Sequence, residues 1–293
     1  MMNNVPIKIE YPALYMASDS KSIQAQKYYL RGIYSLLLLL VSSALASLFA
    51  GTNQSVAIIS LVLIALTPII SLFLAWKRYD KLWYTGRALA ESIKTMSWRY
   101  MMRAQPYEND NNTARTSFIS DLMKIFDESK HFCQYLSETT ATEEQIPNQV
   151  EKIRQCDFDK RKQIYRVYRI DEQKYWYVKK SSHNKLMLSL WFWAMFIFQI
   201  LAILCAAIRI GQPSWTYLPT DVLATAAAAV IGWIQTKRFQ ELGTSYTLAA
   251  IEIGMVKMNF ETVENEAQFS EFVGDAENAF SREHIQWLAR RDT

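Results

Sequence analysis

Apolar residues along this chain are concentrated in four blocks, and charged residues lie between them. Blocks 32–50, 56–76 and 186–208 contain no charged residue. Each is close to the length of about 20 residues that crosses a bilayer as a helix. The fourth block, 218–235, is weaker because it depends on alanine and includes Asp221. Since lipid cannot hydrogen-bond to backbone groups, the pattern predicts four transmembrane helices.

The four blocks are joined as two hairpins, because only short segments, 51–55 and 209–217, separate the members of each pair. Positive residues near the helix ends favour the cytoplasmic side of a membrane. Arg209 is the only such residue on the side of the hairpin tips. The other side carries Lys21, Lys27, Arg31, Lys77, Arg78, Lys81, Arg87, Lys174, Lys179, Lys180, Lys185, Lys237 and Arg238. We therefore expect both termini and the long middle segment to be cytoplasmic.

The segments outside the blocks show a helical period, with no sustained alternation of polar and apolar positions. We expect the second membrane helix to continue straight to about Arg103, and the fourth to continue through Ile253. Further helices are predicted over about 114–136 and about 266–290. Another is predicted to start near Gln149 and to continue without a break into the third block. Residues 1–30 contain no apolar run typical of a cleavable signal peptide, so the first membrane helix is expected to act as its own anchor. The predicted fold is an all-α membrane protein with a cytoplasmic helical bundle.

The two halves of the chain follow one plan, in which a basic, tyrosine-rich helix precedes a hairpin and a long amphipathic helix follows it. Residues 26–29, QKYY, parallel residues 173–176, QKYW, and residues 76–79, WKRY, parallel residues 235–239, QTKRF. We therefore divide the chain into two tandem two-helix units, about 10–136 and 149–291. Both hairpins enter the membrane from the same side, which disfavours a transporter built from inverted repeats.

Three stretches outside the apolar blocks carry a recognisable sequence pattern. Residues 79–107, YDKLWYTGRALAESIKTMSWRYMMRAQPY, are similar to the helix that follows the hairpin in the SLATT family, whose members are two-helix membrane effector domains. Residues 165–185, YRVYRIDEQKYWYVKKSSHNK, resemble the helix that precedes a second hairpin, and residues 280–291, FSREHIQWLARR, resemble the closing motif. The resemblance implies a prokaryotic inner-membrane effector of a defence system linked to SMODS enzymes or SLOG sensors. It further implies a pore that kills or arrests an infected cell, with a nucleotide second messenger or a cytoplasmic sensor protein as the candidate trigger.

Polar residues recur on one face of two predicted membrane helices and are the candidate pore lining. These are Asp221, Thr225, Gly232 and Thr236 in the fourth block and Ser60, Thr67 and Ser71 in the second. One interpretation is a water-facing wall, with Asp221 near the outer mouth favouring cations. The alternative is that small residues let helices approach closely and that hydroxyls bond nearby carbonyls. For Asp221 the alternative is a cap at the start of the fourth helix.

The sequence carries no motif for catalysis. The histidines at 131, 183 and 284 lie in separate segments without metal-ligand spacing, and we favour helix packing or ion pairing for His284. The cysteines at 133, 156 and 205 show no paired spacing, which suits a reducing compartment. We therefore predict no enzyme activity, no cofactor and no metal site.

The charge balance also limits the partners. A net charge of +4 without a long basic run argues against nucleic acid. The basic run 160–162 and the acidic residues Glu138, Glu143 and Glu144 are expected to be solvated surface.

A bundle of four helices fills its own centre with side chains, so a pore requires a homo-oligomer. The sequence thus favours an oligomeric pore-forming or membrane-disrupting effector that is gated through its cytoplasmic helices. The alternative is a non-conducting membrane scaffold or sensor that docks a cytoplasmic partner.

Overall fold

The computed structural model describes residues 9–137, 140 and 142–289, with residues 282–289 described by their backbone alone. Within these residues the chain is helical and contains no strand, which confirms the all-α class. The helices are α1 Ala13–Phe49, α2 Gln54–Lys77, α3 Tyr79–Met101, α4 Asn111–Glu128, α5 Lys130–Cys133, α6 Asn148–Arg154, α7 Phe158–Tyr165, α8 Glu172–Gly211, α9 Thr220–Lys237, α10 Phe239–Phe260 and α11 Glu266–Ala289. A π-helical segment, Arg166–Asp171, joins α7 to α8.

Three helical runs in the described part of the chain are long and apolar enough to cross a membrane. They are Ala13–Phe49, Gln54–Met101 and Phe158–Gly211, and they contain the first three predicted spans. The predicted fourth span coincides with α9, which is a helix but is not among these three. Its alanine-rich sequence and Asp221 lower its hydropathy, so its membrane crossing stays a prediction.

The exit from each hairpin contains a one-residue break that the sequence did not predict. Arg78, between α2 and α3, adopts a left-handed conformation with φ of 46°, and Arg238, between α9 and α10, does so with φ of 52°. The prediction of straight continuation is therefore wrong at these two arginines. Since the two positions correspond in the sequence repeat, the structure repeats the same break in both halves.

Two other predicted helices are interrupted. The expected unbroken helix from Gln149 is wrong at 155–157, because Asp157 starts a new helix by accepting a hydrogen bond from the Lys160 backbone N–H at 2.8 Å. The helix predicted over 114–136 ends at Glu128. There the backbone N–H of Ser129 bonds to the carbonyls of both Ile125 and Phe126, which closes the last turn. The last helix, α11, agrees with its prediction.

The chain forms two compact units, each drawing on both halves of the sequence. The bundle unit comprises Met1–Ala25, Asp80–Lys179 and Ser245–Thr293, so far as these are described. The apolar unit comprises Gln26–Tyr79 and Lys180–Thr244 and holds the four apolar blocks. This division differs from the tandem division at 10–136 and 149–291, which follows the sequence repeat.

In the bundle unit, the last helix is hydrogen-bonded to the end of α3. Arg99 Nη2 donates to the Gly274 carbonyl at 3.0 Å and to Asn278 Oδ1 at 2.7 Å. The Gln105 backbone N–H donates to Ser270 Oγ at 3.1 Å. Residues from the two halves of the chain therefore complete one core.

One buried arginine contradicts the expectation that the basic run 160–162 is solvated, and a second buried arginine lies shortly before that run. Arg161, in the middle of the basic run, is 1% exposed and donates to the Met102 carbonyl at 2.8 Å. Arg154 is fully buried and donates to the Tyr100 carbonyl at 2.7 Å. The last carbonyls of a helix lack partners within the helix, so these guanidinium groups satisfy the C-terminal end of α3. Glu143 and Glu144 are exposed as expected, and Glu138 lies outside the described residues.

Candidate membrane site

The predicted polar face of α9 begins at Asp221, which is exposed in the first turn of the helix. The N-cap is Pro219, so Asp221 is not the capping residue. An acidic side chain in the first turn is still favoured by the helix dipole. Thr225 Oγ1 donates to the Asp221 carbonyl at 2.7 Å, four residues earlier in the same helix.

Farther along α9, Thr236 Oγ1 donates to the Gly232 carbonyl at 2.8 Å. Gly232 faces α1, because a Cβ added there would lie 3.5 Å from Leu37 Cδ2. The polar face of α9 thus contains two hydroxyls that are hydrogen-bonded to backbone carbonyls of the same helix, and a glycine at the contact with α1. A hydroxyl that donates its hydrogen keeps its oxygen as an acceptor, so water or an ion can still bind it.

On α2, the predicted polar face surrounds a proline. Pro68 has no N–H, so the Ile64 carbonyl loses its usual partner four residues later. Thr67 Oγ1 donates to that carbonyl at 2.8 Å and replaces the missing bond. Ser71 Oγ donates to the Thr67 carbonyl at 3.0 Å, within the same helix.

Ser60, the remaining candidate on α2, faces α1. Ser60 Oγ donates to the Ser43 carbonyl and Ser43 Oγ donates to the Ser60 carbonyl, each at 3.1 Å. This reciprocal pair is buried at the Ser43 end, where the side chain is 5% exposed. Ser60 therefore ties the first hairpin together. The pore-lining role of all seven candidates stays a prediction.

Sequence reasoning missed a buried ion pair in the bundle unit. Arg169, in the π-helical segment, donates to Glu277 Oε1 at 2.7 Å from Nε and to Oε2 at 2.5 Å from Nη2. Tyr165 Oη donates to the same carboxylate at 3.0 Å. Arg169 and Glu277 are 1% and 0% exposed. Burial lowers the pKa of Arg169, but the Glu277 carboxylate outweighs burial and raises it above its usual value.

The histidines and cysteines lie apart from this pair. His131 is exposed and its Nδ1 is hydrogen-bonded to Gln134 Nε2 at 2.7 Å. His183 is exposed in α8, and the side chain of His284 lies outside the described residues. Cys133, Cys156 and Cys205 are free thiols.

An all-α chain with three apolar helices of membrane-spanning length is a helical membrane protein. Residues 12–162 match the family described as SMODS and SLOG-associating 2TM effector domain 3, and residues 165–287 match that described as effector domain 1. No curated protein and no solved structure matches the chain.

The first of these matches covers more than half of the chain, so the chain belongs to the SLATT family, with two domains in tandem. The resemblance seen in the sequence is confirmed. SLATT domains are two-transmembrane effector domains of defence systems, which makes this chain a membrane effector.

Proposed function

We propose that this chain is a pore-forming or membrane-disrupting effector of a prokaryotic nucleotide-linked defence system. The observation that carries the proposal is the tandem match to two-transmembrane effector domains, joined to three helices of membrane-spanning length. The chain acts as a homo-oligomer in the inner membrane, with four spans and both termini in the cytoplasm. It is not an enzyme, and it binds neither a cofactor nor nucleic acid.

Opening proceeds through the helices of the bundle unit. Both α1 and α8 have residues in the bundle unit and residues in the apolar unit, so each helix joins the two units covalently. A rearrangement at the bundle end of such a helix reaches the apolar end along the backbone. The trigger is a nucleotide second messenger or a cytoplasmic sensor protein.

The lining of the pore is the polar face of α9, with the face of α2 beside it. Asp221 at the start of α9 gives the outer mouth a cation preference. Thr225 supports this assignment because its oxygen retains acceptor capacity after donating to Asp221.

The test is membrane potential, followed by dye in bacteria that are induced to express the intact chain. We expect depolarisation that Asp221→Asn and Thr225→Val weaken, because the first removes the negative charge and the second removes the hydroxyl, each at nearly constant volume. The matched control is Leu223→Met, which keeps the side-chain volume nearly constant and lies about 160° around the helix from both Asp221 and Thr225. Equal amounts of protein in the membrane fraction are required for each comparison.

The outcomes separate the proposals. Depolarisation that all three variants leave unchanged keeps the pore and removes α9 from its wall. Absence of depolarisation, with purified chain in vesicles also failing to pass ions, refutes the pore and favours the scaffold or sensor that docks a cytoplasmic partner.

A further inference from the structure

The bundle unit contains a cavity of about 530 Å³ that lies outside the predicted membrane face. Small-molecule sites occupy cavities of about 300–1,000 Å³. Its lining includes Tyr11, Tyr15, Lys94, Tyr168, Glu172 and Gln173. The last three belong to the π-helical segment and the start of α8, and π-helical turns in α-helices are frequent at functional sites.

Lys94 is the cationic group of this cavity, and it lacks a direct counter-ion. Within the described part of the chain, its ammonium has no ion pair. Glu91, one turn earlier, is engaged by Arg87 at 2.6 Å, and Glu277 is engaged by Arg169. Burial lowers the pKa of Lys94. Glu91 and Glu277 raise it, while Arg169 and Arg87 lower it further. An anion entering the cavity would supply the missing partner.

The tyrosines provide a surface for a flat group. The Tyr11 and Tyr15 rings lie with centroids 4.6 Å apart, tilted by 44°. Tyr11 is held in place because its hydroxyl oxygen accepts a hydrogen bond from Trp98 Nε1 at 2.9 Å, and Trp98 is fully buried. The Tyr11 hydroxyl still has its own hydrogen to donate.

We propose that this cavity binds a small phosphorylated compound with a planar ring. The phosphate contacts Lys94, and the ring lies against the tyrosines. A phosphate has three acceptor oxygens, which suit the ammonium, the phenol hydroxyls and the Gln173 amide as donors. Glu172 opposes an anion, but it is exposed and therefore screened by solvent.

The experiment is isothermal titration calorimetry on the full-length chain in lipid nanodiscs, with AMP, adenosine and inorganic phosphate as three separate probes. We expect saturable binding of AMP at one site. Adenosine lacks the anion and phosphate lacks the ring, so each should bind at least about tenfold more weakly, which is about 1.4 kcal/mol. Failure of AMP to saturate, or equal binding of adenosine, overturns the proposal.

Variants at Lys94 distinguish a ligand contact from a structural role. Lys94→Met should weaken AMP binding at least about tenfold. It should leave the thermal unfolding midpoint unchanged or higher, because a desolvated charge is removed. Lys94→Arg should restore most of the affinity. The control is Lys124→Met, an exposed lysine on α4, which should change neither quantity. Equal affinity in the Lys94→Met and Lys124→Met proteins overturns the proposal.

Only the effect of the ligand on ion flux rests on the proposed function. Ion flux through vesicles containing the chain should change on adding AMP, and Lys94→Met should abolish that response. AMP binding without any flux keeps this site and refutes the pore. Flux from a chain that fails to bind AMP keeps the pore and refutes this site.

Discussion

Single side chains in this protein repair backbone groups that the fold leaves without partners. Thr67 replaces the hydrogen bond that Pro68 removes from α2, and Arg154 and Arg161 bind carbonyls at the end of α3. An unpaired carbonyl is more costly in lipid than at a wet surface. The presence of a threonine at position 67 is therefore explained by Pro68, whether or not the threonine hydroxyl also faces water.

Removing the Thr67 hydroxyl should destabilise the chain only while Pro68 is present. We expect Thr67→Val to lower the free energy of unfolding by about 1–2 kcal/mol, because the Ile64 carbonyl loses its donor. In a Pro68→Ala background, where residue 68 regains its N–H, the same change should cost less than about 0.5 kcal/mol. Unfolding of the four proteins in detergent gives the coupling energy. Equal costs in both backgrounds would show that the hydroxyl does not serve this carbonyl.

Three buried tyrosines make stability sensitive to alkali. Burial raises the pKa of Tyr165, Tyr100 and Tyr107. Their hydrogen bonds to Glu277, Glu151 and Asp121, respectively, raise it further. Above about pH 10 the unfolded chain releases these protons while the folded chain keeps them. Folding stability therefore falls as pH rises, by about 1.4 kcal/mol per unit for each tyrosine.

The measurement is parallel titration of tyrosinate absorbance and helical ellipticity. We expect the buried tyrosines to ionise in one cooperative step above pH 10, together with the loss of ellipticity. Tyr107→Phe, which removes one of the three groups, should make the loss of stability with pH less steep. Ionisation of all 16 tyrosines with helicity intact would contradict the burial of these phenols.

At the scale of helices, the left-handed arginines mark the ends of both hairpins. Non-glycine residues rarely adopt positive φ, because the Cβ approaches the following carbonyl oxygen, at a cost of about 1–2 kcal/mol. Arg78 and Arg238 both accept this conformation. Each hairpin therefore ends at a fixed residue, and a new helix starts immediately after it.

Comparing glycine with alanine at position 78 isolates this backbone strain. Both substitutions remove the arginine side chain, but only alanine keeps a Cβ. We expect Arg78→Gly to be more stable than Arg78→Ala by about 1 kcal/mol. The order should invert in the middle of a helix, so at the exposed position 92 of α3, Ser92→Gly should be less stable than Ser92→Ala by about 0.5–1 kcal/mol. Thermal unfolding of the purified proteins measures these differences in stability. An Arg78→Ala protein as stable as the Arg78→Gly protein would refute backbone strain at position 78.

At the scale of the whole molecule, the proposed topology places the native thiols of the bundle unit on the cytoplasmic side. A membrane-impermeant maleimide should leave Cys133 and Cys156 unlabelled in intact cells and should label them in opened membranes. Gly51→Cys, at the first hairpin tip where an added side chain meets open space, should be labelled in intact cells. Cys205→Ala removes the third thiol from every sample. Labelling of the bundle cysteines from outside would overturn the topology.

Patterns of neighbouring residues predicted the structural features that depend on neighbouring residues alone. Charge-free runs located the membrane blocks. The pairing of Lys-Arg-Tyr with Lys-Arg-Phe identified two equivalent positions, but not the breaks that the structure has there. Pairs of residues that are far apart in the sequence could not be predicted. Arg161 lies 105 residues from Glu266, its ion-pair partner, and Arg169 lies 108 residues from Glu277. Neighbouring charges made Arg161 resemble solvated surface. The Thr67–Pro68 pair, by contrast, could have been interpreted from sequence, because a proline in the interior of a helix frees the carbonyl four residues earlier.

The hydrogen bonds from Arg99 to α11 have a consequence for how such a chain evolves. Once the last helix of one copy completes the core of the other, neither copy can be lost or exchanged alone. Selection then acts on how well the two halves fit each other. A residue at their contact can change when its partner in the other half changes with it. The two halves of this chain match different members of one family and still complete one core.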